Sequence, residues 1–216
     1  MSNGPATTKL LELSSPALSP GGTEMMLEAC ARLGGVPKEL ADILGEKNGF
    51  YAFESALHFF PVNDSASSVG LDAWNSDSGW RVEYGELASS CLFFAEDVFG
   101  GQFCLKDGKV WQFDPETGEL TLLGQSLEEW AAAVLGDFAF LTGHPVAREW
   151  QLLHGPLPAN MRLVPKVPFV LGGPFSVSNL SPMDSERAMR VRGNLARQIS
   201  NLPGGEKIRL VTGEGL

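Results

Sequence analysis

The chain has 216 residues, of which 44% are apolar and 19% charged, and its formal net charge is −10. This composition is typical of a globular protein with one sizeable core, and it argues against an intrinsically disordered chain. Because nucleic-acid binding requires Lys and Arg to neutralise phosphates, the negative charge argues against direct contact with nucleic acid.

The first 22 residues are rich in Ser, Pro and Gly and predict a flexible N-terminal segment. They lack the basic stretch and long apolar run of a signal peptide. No apolar run approaches the roughly 18 residues of a membrane span. The three cysteines, Cys30, Cys91 and Cys104, form no CxxC motif, which favours a reducing compartment. These features predict a cytoplasmic protein without membrane association.

Two helices are predicted before the first strands. Thr23 is the candidate N-cap of the first helix, which ends at Gly34. The second begins at Pro37 and ends at Asn48-Gly49. Residues 50–62 alternate loosely and predict one or two strands.

Residues 63–79 read as a long loop, although Leu71 and Trp74 are candidates for buried anchors or for a short helix. The next stretch, WRVEYGEL, is irregular. The three histidines, His58, His144 and His154, match no metal-ligand spacing, so no metal site and no cofactor are predicted.

Four strand-like runs follow, which are SCLFFAED, GQFCLK, KVWQFD and ELTLLG. Asp107-Gly108 separates the second and third runs by two residues, the strongest short signal for a β-hairpin. The runs therefore predict an antiparallel meander. In the third run, Val110, Gln112 and Asp114 alternate with Trp111 and Phe113, which predicts one wetter face.

The Gly100-Gly101 pair lies between the first and second of these runs. A phosphate-binding loop would instead place its glycines before a helix, and neither GxxxxGK[ST] nor GxGxxG occurs in the chain. The pair is therefore interpreted as a turn in which glycine supplies a positive φ.

Three further helices are predicted. The sequence SLEEWAAAVLGDFAFLTG begins with a capping box formed by Ser126 and Glu129. A shorter helix ends at Gly155, and residues 156–182 are rich in Pro and Gly with little periodicity. A late helix, DSERAMRVRGNLARQISNL, places Ala188, Val191, Leu195 and Ile199 on one side. Its arginines are expected to pair with the protein's own acidic surface, and the strand EKIRLV follows.

Negative charge is concentrated between residues 83 and 137, which hold eleven Asp and Glu against two Lys. The stretch forms either a solvated surface or a face for a basic partner. No nucleophile motif accompanies the acids, and no carboxylate pair stands out for acid–base work. The sequence therefore predicts no catalytic residue and no enzyme. A hydrolase that uses an acidic pair is the rival that a substrate screen would remove.

Several ordered segments together resemble the SUKH superfamily, which includes bacterial immunity proteins and a yeast regulator of cell-wall synthesis. They are VPKELADILGEKNGFYAFESALHFFP, LDAWNSDSGWRVEYGELASSCLFFAEDVFGGQFCLKDGKVWQFDPETGEL and SLEEWAAAVL. The resemblance covers about residues 36–135. It implies an α+β fold, with helices packed on an antiparallel sheet, and it makes Phe99, Gly100 and Phe103 structural residues.

The resemblance implies binding as the function. Bacterial SUKH proteins neutralise a cognate secreted toxin of a polymorphic or contact-dependent system, often a nuclease. Nuclease surfaces are basic, so an acidic partner face has a physical rationale. The candidate contacts are the acids expected to be exposed near the meander and in the preceding loop: Asp72, Asp77, Glu96, Asp97, Asp107, Asp114, Glu116 and Glu119. The alternative is a regulatory or scaffold module without an antitoxin role.

The expected organisation has three parts. Residues 1–22 form the flexible N-terminus, residues 23–141 the SUKH-like domain, and residues 142–216 a C-terminal extension of helix and strand packed on that core. The sequence leaves the oligomeric state and the toxin open.

Overall fold

The structure is a computed structural model that describes residues 3–21 and 36–200. The helix predicted at 23–33 and the strand predicted at 206–211 lie outside the described residues. Seven α-helices lie within them: α1 (Pro5–Leu13), α2 (Lys38–Glu46), α3 (Leu71–Trp74), α4 (Leu127–Gly136), α5 (Phe138–Thr142), α6 (His144–His154) and α7 (Ser185–Ser200). The irregular stretch after α3 forms two 3-10 turns, Trp80–Glu83 and Gly85–Ala88.

The main sheet has six antiparallel strands in chain order: β1 (Phe50–Ala52), β2 (Leu57–Phe59), β3 (Leu92–Asp97), β4 (Gln102–Lys106), β5 (Lys109–Phe113) and β6 (Leu120–Gly124). This order confirms the predicted meander. Two further strands, β7 (Met161–Pro165) and β8 (Leu180–Asp184), pair with each other in a separate small sheet. The architecture is α+β, as predicted.

Both faces of the central strands are buried. Phe94 contacts Trp130 of α4, with ring centroids 5.0 Å apart. Phe93, the preceding residue, packs against Trp80, with ring centroids 4.9 Å apart. Phe59 and Phe103 share the Trp130 side with Phe94, whereas Phe113 shares the Trp80 side with Phe93, so the sheet is covered by α4 on one face and by the Trp80 turn on the other. The two acids of β3, Glu96 and Asp97, are buried as well, contrary to their expected exposure.

Strand β6 carries a bulge opposite β5. Val110 pairs with Gly124 and Trp111 with Leu122, so the extra residue, Leu123, lies in β6. Strand β5 itself pairs regularly with β4 and keeps the predicted alternation. Val110 and Phe113 point to opposite faces of the sheet, and both are fully buried because both faces are covered. Asp114, beyond the strand end, is exposed.

Helix α1 occupies part of the segment that the sequence assigned to a flexible N-terminus. Leu10 and Leu11 are buried in the main core. The helix has no N-terminal cap of its own. Instead, Glu128 of α4 accepts hydrogen bonds from the backbone N–H groups of Ala6 and Thr7 at 2.7 and 3.0 Å. A carboxylate at a helix N-terminus satisfies free N–H groups and favours the helix dipole.

The predicted helix over 126–143 is divided into α4 and α5. Ser126 caps α4 by accepting a hydrogen bond from the N–H of Glu129 at 3.1 Å, which confirms the N-terminal signal. The helix ends at Gly136, and Asp137 caps α5 through the N–H of Phe140. Asp137 is a good N-cap and a poor interior helix residue, which explains the break.

The C-terminal segment, residues 142–200, packs on the open end of the sheet. It contributes Met189 and Ala196 of α7 to the main core, and a second apolar cluster forms around Trp150 and Leu163. Helix α7 buries Ala188 and Leu195 as predicted, but Val191 is 40% exposed. Arg192 is buried in its place, because Gly193 lets the helix lie close to Glu83 and Tyr84.

Candidate functional site

A groove of about 470 Å³ lies at the end of the sheet where β3 turns into β4 and β5 turns towards β6. Three carboxylates line it, from Asp97, Asp114 and Glu116. Helices α5 and α6 contribute Phe140 and Val146, and later parts of the C-terminal segment contribute Phe169, Phe175 and Arg192. We call this site the acidic groove. Its size is within the range of pockets that hold small ligands.

The turn between β3 and β4 forms one wall of the acidic groove. Asp97 accepts hydrogen bonds at Oδ1 from the N–H groups of Phe99 and Gly101, both at 2.8 Å. Gly100 has a φ of +78°, and a Cβ at Gly101 would collide with the Asp97 carboxylate. The glycine pair therefore makes the turn, as predicted, and also leaves room for a buried acid.

Asp97 is an unusual acid because it is buried without a close cationic partner. Burial raises the pKa of its carboxyl to about 7, although the two backbone donors and Arg192 act in the opposite direction. Near neutral pH the group exchanges a proton within the groove wall.

The turn after β5 forms the floor. Asp114 Oδ1 accepts hydrogen bonds from the N–H groups of Glu116 and Thr117 at 2.7 and 3.2 Å, which fixes the turn. Glu116 then points inward and is only 4% exposed. Its Oε2 accepts a hydrogen bond from the N–H of Val170 at 2.8 Å, whereas its Oε1 makes no hydrogen bond of normal geometry within the described residues. Burial raises the pKa of the Glu116 carboxyl, and the backbone N–H groups of Val170 and Phe169 act in the opposite direction.

Aromatic rings form the remaining wall. Phe169 and Phe175 stack with centroids 3.8 Å apart, and Phe99 meets Phe169 edge-on at 5.4 Å. At the rim, Phe175 is 66% exposed and Phe140 is 80% exposed. Large exposed rings next to a concave surface are typical of a binding site.

Arg192 is the cation of the groove. Its Nη1 donates to the carbonyl oxygen of Phe99 at 2.6 Å, and its Nε donates to that of Ala188 at 3.0 Å. It therefore directs these donors to backbone oxygens and holds the β3–β4 turn against α7. Its charge partly offsets the nearby carboxylates through space.

A second polar cluster is buried beneath the groove wall, centred on Glu96. Its Oε1 lies 3.0 Å from His58 Nδ1, 2.8 Å from Arg162 Nε and 3.2 Å from Ser185 Oγ. The Arg162 contact is an ion pair in which the N–H does not point along the N···O line. Gln102 donates to the other carboxylate oxygen at 3.3 Å.

These contacts fix the protonation states in the cluster. Burial alone would raise the pKa of the Glu96 carboxyl, but Arg162, His58 and Gln102 together hold it at about 2. Burial and the charge of Arg162 lower the pKa of His58 to about 4, although the hydrogen bond that His58 donates to Glu96 and the charge of that carboxylate act in the opposite direction. At neutral pH the cluster therefore holds a carboxylate, a neutral imidazole and a guanidinium.

Ser68, His58 and Glu96 are connected in the same way as a Ser-His-acid triad, since Ser68 Oγ lies 2.8 Å from His58 Nε2. All three residues are at most 1% exposed. A substrate could not reach the hydroxyl in this structure, so the geometry lacks the access that nucleophilic catalysis needs. The cluster instead ties the loop before α3 to the sheet and, through Arg162 and Ser185, to the C-terminal segment.

The eight acids proposed as partner contacts do not form one face. Glu96, Asp97 and Glu116 were expected to be exposed, but they are buried, because the C-terminal segment covers the end of the sheet. Asp97, Asp114 and Glu116 meet in the acidic groove, and Glu119 is exposed in the adjoining turn. The remaining three lie elsewhere: Asp72 and Asp77 line a shallow basin beside α3, and Asp107 occupies the hairpin at the opposite end of β4 and β5.

Sequence reasoning missed Arg192 and the aromatic residues of the groove. Arg192 belongs to a helix in which two other arginines pair with surface acids, Arg190 with Glu186 at 2.8 Å and Arg197 with Glu83 at 3.7 Å. Phe175 follows Gly-Gly-Pro, and a lone aromatic residue in a turn-rich stretch was the signal available. Phe99 was interpreted as structural, but it lines the groove.

Two further properties concern the described residues alone. Residues 3–21 and 36–200 contain no helix with the length and apolar character needed to cross a membrane. In the same ranges, His, Cys, Asp and Glu side chains form no group of three that could hold a metal ion.

The antiparallel sheet, covered on both faces and with a groove at one end, defines an α+β protein. A sequence model of the SMI1 / KNR4 family (SUKH-1) matches residues 24–133, just over half of the chain. The chain belongs to this family, which confirms the resemblance found in the sequence. The family includes toxin immunity proteins and is generally non-catalytic.

A solved structure shares the fold. It is the crystal structure of Atu4351 from Agrobacterium tumefaciens, with a TM-score of 0.58 and 16% sequence identity, and the match covers 85% of this chain and 86% of that chain. Residues 1–133 make up less than 85% of the chain, so the shared fold continues into the C-terminal segment. No protein in the comparison with curated sequences matches the chain.

Proposed function

We propose that this protein is a cytoplasmic immunity protein that binds and neutralises a cognate secreted toxin of a polymorphic or contact-dependent system. The toxin is a basic protein, of which a nuclease is the leading example. The protein inhibits the toxin by binding to it and does not modify the toxin chemically.

The observation that carries the proposal is the acidic groove within a SUKH-family fold. Asp114 and Glu119 are exposed beside it, and Asp97 and Glu116 lie inside it. Opposite potentials accelerate encounter with a basic surface and select the docking orientation. Exposed aromatic residues at the rim, Phe140 and Phe175, supply the apolar contact area that protein interfaces use as anchors.

A binding role is also supported by the state of the polar residues. The one serine–histidine–acid arrangement described above is sealed from solvent. The acids inside the groove are held by backbone N–H groups and face aromatic rings, with no activated nucleophile among the residues that line the site.

The proposal is tested by co-expression. The chain is paired with the toxic C-terminal domain encoded beside it, in a host that the toxin kills. We expect rescue and a stable complex on gel filtration. Absence of both would contradict the proposal and favour the regulatory or scaffold module.

A titration in vitro separates binding from turnover. Because an inhibitor that acts by occupancy is consumed stoichiometrically, residual toxin activity should fall linearly and vanish at an equimolar ratio. Complete inactivation by a small fraction of an equivalent would instead show that the protein acts as an enzyme.

A further inference from the structure

We infer that the acidic groove binds an arginine side chain, presented by an extended, apolar-flanked segment of a partner protein. The inference deepens the proposed function, and the identity of the partner rests on it. The chemistry of the groove can nevertheless be tested without that partner.

Glu116 is a buried acid of the groove floor whose hydrogen bonding is incomplete. Its side chain is 4% exposed, and Oε2 accepts from Val170, whereas Oε1 makes no hydrogen bond of normal geometry within the described residues, although the nearby N–H of Phe169 also lowers the pKa of the carboxyl. An incompletely paired buried acceptor is costly, and the cost is larger for a charged group. Glu116 lines the groove, so a donor that enters would pair with this carboxylate once the side chain turns the covered Oε1 towards it.

The groove also carries more acidic than basic side chains. Asp97, Asp114 and Glu116 bring three carboxyl groups to the groove, against the single guanidinium of Arg192. Arg192 points Nη1 and Nε at the carbonyl oxygens of Phe99 and Ala188. The protein's own cation is thus engaged in holding the turn, and a second cation from outside would complement the remaining negative charge.

The aromatic lining of the groove favours arginine over lysine. Phe169 and Phe175 present stacked rings, and Phe140 lies across the rim with 80% of its surface exposed. A guanidinium is planar, stacks on aromatic faces and forms bidentate pairs with a carboxylate, whereas an ammonium is a compact and strongly hydrated charge. Aromatic walls above a buried carboxylate match the guanidinium.

The apolar rim indicates what flanks the arginine. Pro145 and Val146 of α6 line the groove together with Phe140 and Phe175. Phe140, Pro145 and Phe175 are exposed, so a segment that inserts an arginine into the groove would contact them. An apolar residue next to the arginine would bury these exposed surfaces.

The test uses two capped dipeptides, acetyl-Phe-Arg-amide and acetyl-Phe-citrulline-amide. Citrulline has nearly the shape of arginine but no charge. The difference in affinity between the two peptides therefore measures the contribution of the positive charge. The peptides are titrated into the full-length protein and followed by two-dimensional NMR. We expect the arginine peptide to bind with a Kd of about 1 mM. It should shift the resonances of Gly100, Gly101 and Val170, whereas the citrulline peptide should bind at least about tenfold more weakly.

Two matched variants of the protein test whether the arginine peptide binds in the acidic groove. Glu116→Gln keeps the shape and the acceptor for Val170 but removes the charge, and it should weaken the arginine peptide about tenfold. Asp107→Asn removes one charge at the far end of the sheet and should leave binding within about twofold.

Three outcomes would overturn the inference: equal binding of both peptides, binding of neither, or shifts confined to residues outside the groove. Since no toxin is used, failure here would leave the co-expression result standing. Failure of co-expression would likewise leave the peptide result intact.

Discussion

Glu96 and Asp97 are adjacent and buried, and the pKa values of their carboxyl groups are shifted in opposite directions. The pKa of Glu96 is held at about 2 because Arg162, His58 and Gln102 surround the carboxylate and outweigh the effect of burial. The pKa of Asp97 is raised to about 7 because burial dominates and its direct donors are backbone N–H groups. Residue type and position in the sequence are nearly the same, so the neighbouring side chains set the charge.

Asp97→Asn should change the pH dependence of stability. The pKa of Asp97 is 3.8 when unfolded and about 7 when folded, so the native state holds an extra proton in this range. The free energy of unfolding of the wild type should therefore exceed that of the variant by the largest amount below about pH 4. It should fall as the pH rises to about 7, at most by about 1.4 kcal/mol per unit.

Urea unfolding of both proteins between about pH 4 and pH 8 measures this difference. Both proteins contain His58 and Glu96, whose lowered pKa values make each protein less stable as the pH falls. The difference in stability between the two proteins removes this shared contribution. A difference that is independent of pH would show that Asp97 is ionised throughout.

At the scale of elements, two long-range contacts determine which segments fold together. Strand β7 is attached to β3 by the ion pair between Arg162 and Glu96, whose side chains are 1% and 0% exposed. Helix α1 is attached to α4 by Glu128, which caps it from 122 positions away in the sequence. Both contacts join a terminal segment to the main core.

Arg162→Met should destabilise the protein by about 3–5 kcal/mol, because it leaves the Glu96 carboxylate buried without its cation. The control is Arg190→Met on α7. That arginine forms an exposed pair with Glu186, so its loss should cost below about 1 kcal/mol. Denaturant unfolding of the three proteins compares the two effects. Equal stabilities of the two variants would refute the role assigned to the buried pair.

Glu128→Ala should weaken α1 by about 1 kcal/mol, since the N–H groups of Ala6 and Thr7 lose their acceptor. Hydrogen exchange should accelerate at residues 5–13 and remain unchanged in the central strands. Glu12→Ala, which removes only an exposed pair with Lys9, is the matched control and should not accelerate exchange. If exchange at 5–13 were the same in all three proteins, the cap would have no role.

The same contacts explain how far the sequence predicted the fold. Asp107-Gly108 and the Ser126 capping signal are local features, and both predictions were confirmed. Helix α1 was missed because its cap comes from a distant part of the chain. Strand β7 was missed because it carries Arg162, and a charged residue in a buried strand breaks the expected pattern.

The candidate site was less predictable for the same physical reason. The negative charge of Glu96, Asp97 and Glu116 was visible in the sequence, but their burial depends on a segment that begins more than twenty residues later. The groove combines acids from two turns with aromatic residues from α5 and the C-terminal segment. No local pattern brings Phe140 and Phe175 to the same place.

At the scale of the whole molecule, the C-terminal segment is part of the core, although the family match ends at residue 133. It supplies Met189 and Ala196 to the main apolar cluster and the cation that balances Glu96. A boundary at residue 141 therefore separates two stretches of sequence that share one set of buried contacts.

Truncation after residue 141 should therefore abolish cooperative folding, since it exposes the main core and leaves Glu96 without Arg162. Thermal unfolding followed by circular dichroism would compare the truncated and full-length proteins. A cooperative transition within a few degrees of the full-length protein would show that residues 1–141 fold independently.

If the acidic groove is the surface by which this protein holds a basic partner, the charge of the groove must set the affinity for that partner. Calorimetric titration of the purified toxin domain into the wild type, Glu116→Gln and Asp107→Asn measures this dependence. We expect tight binding by the wild type, at least about tenfold weaker binding by Glu116→Gln, and near-wild-type binding by Asp107→Asn. Equal affinity of all three proteins would contradict the groove as the binding surface, and no binding by any of them would contradict the immunity function.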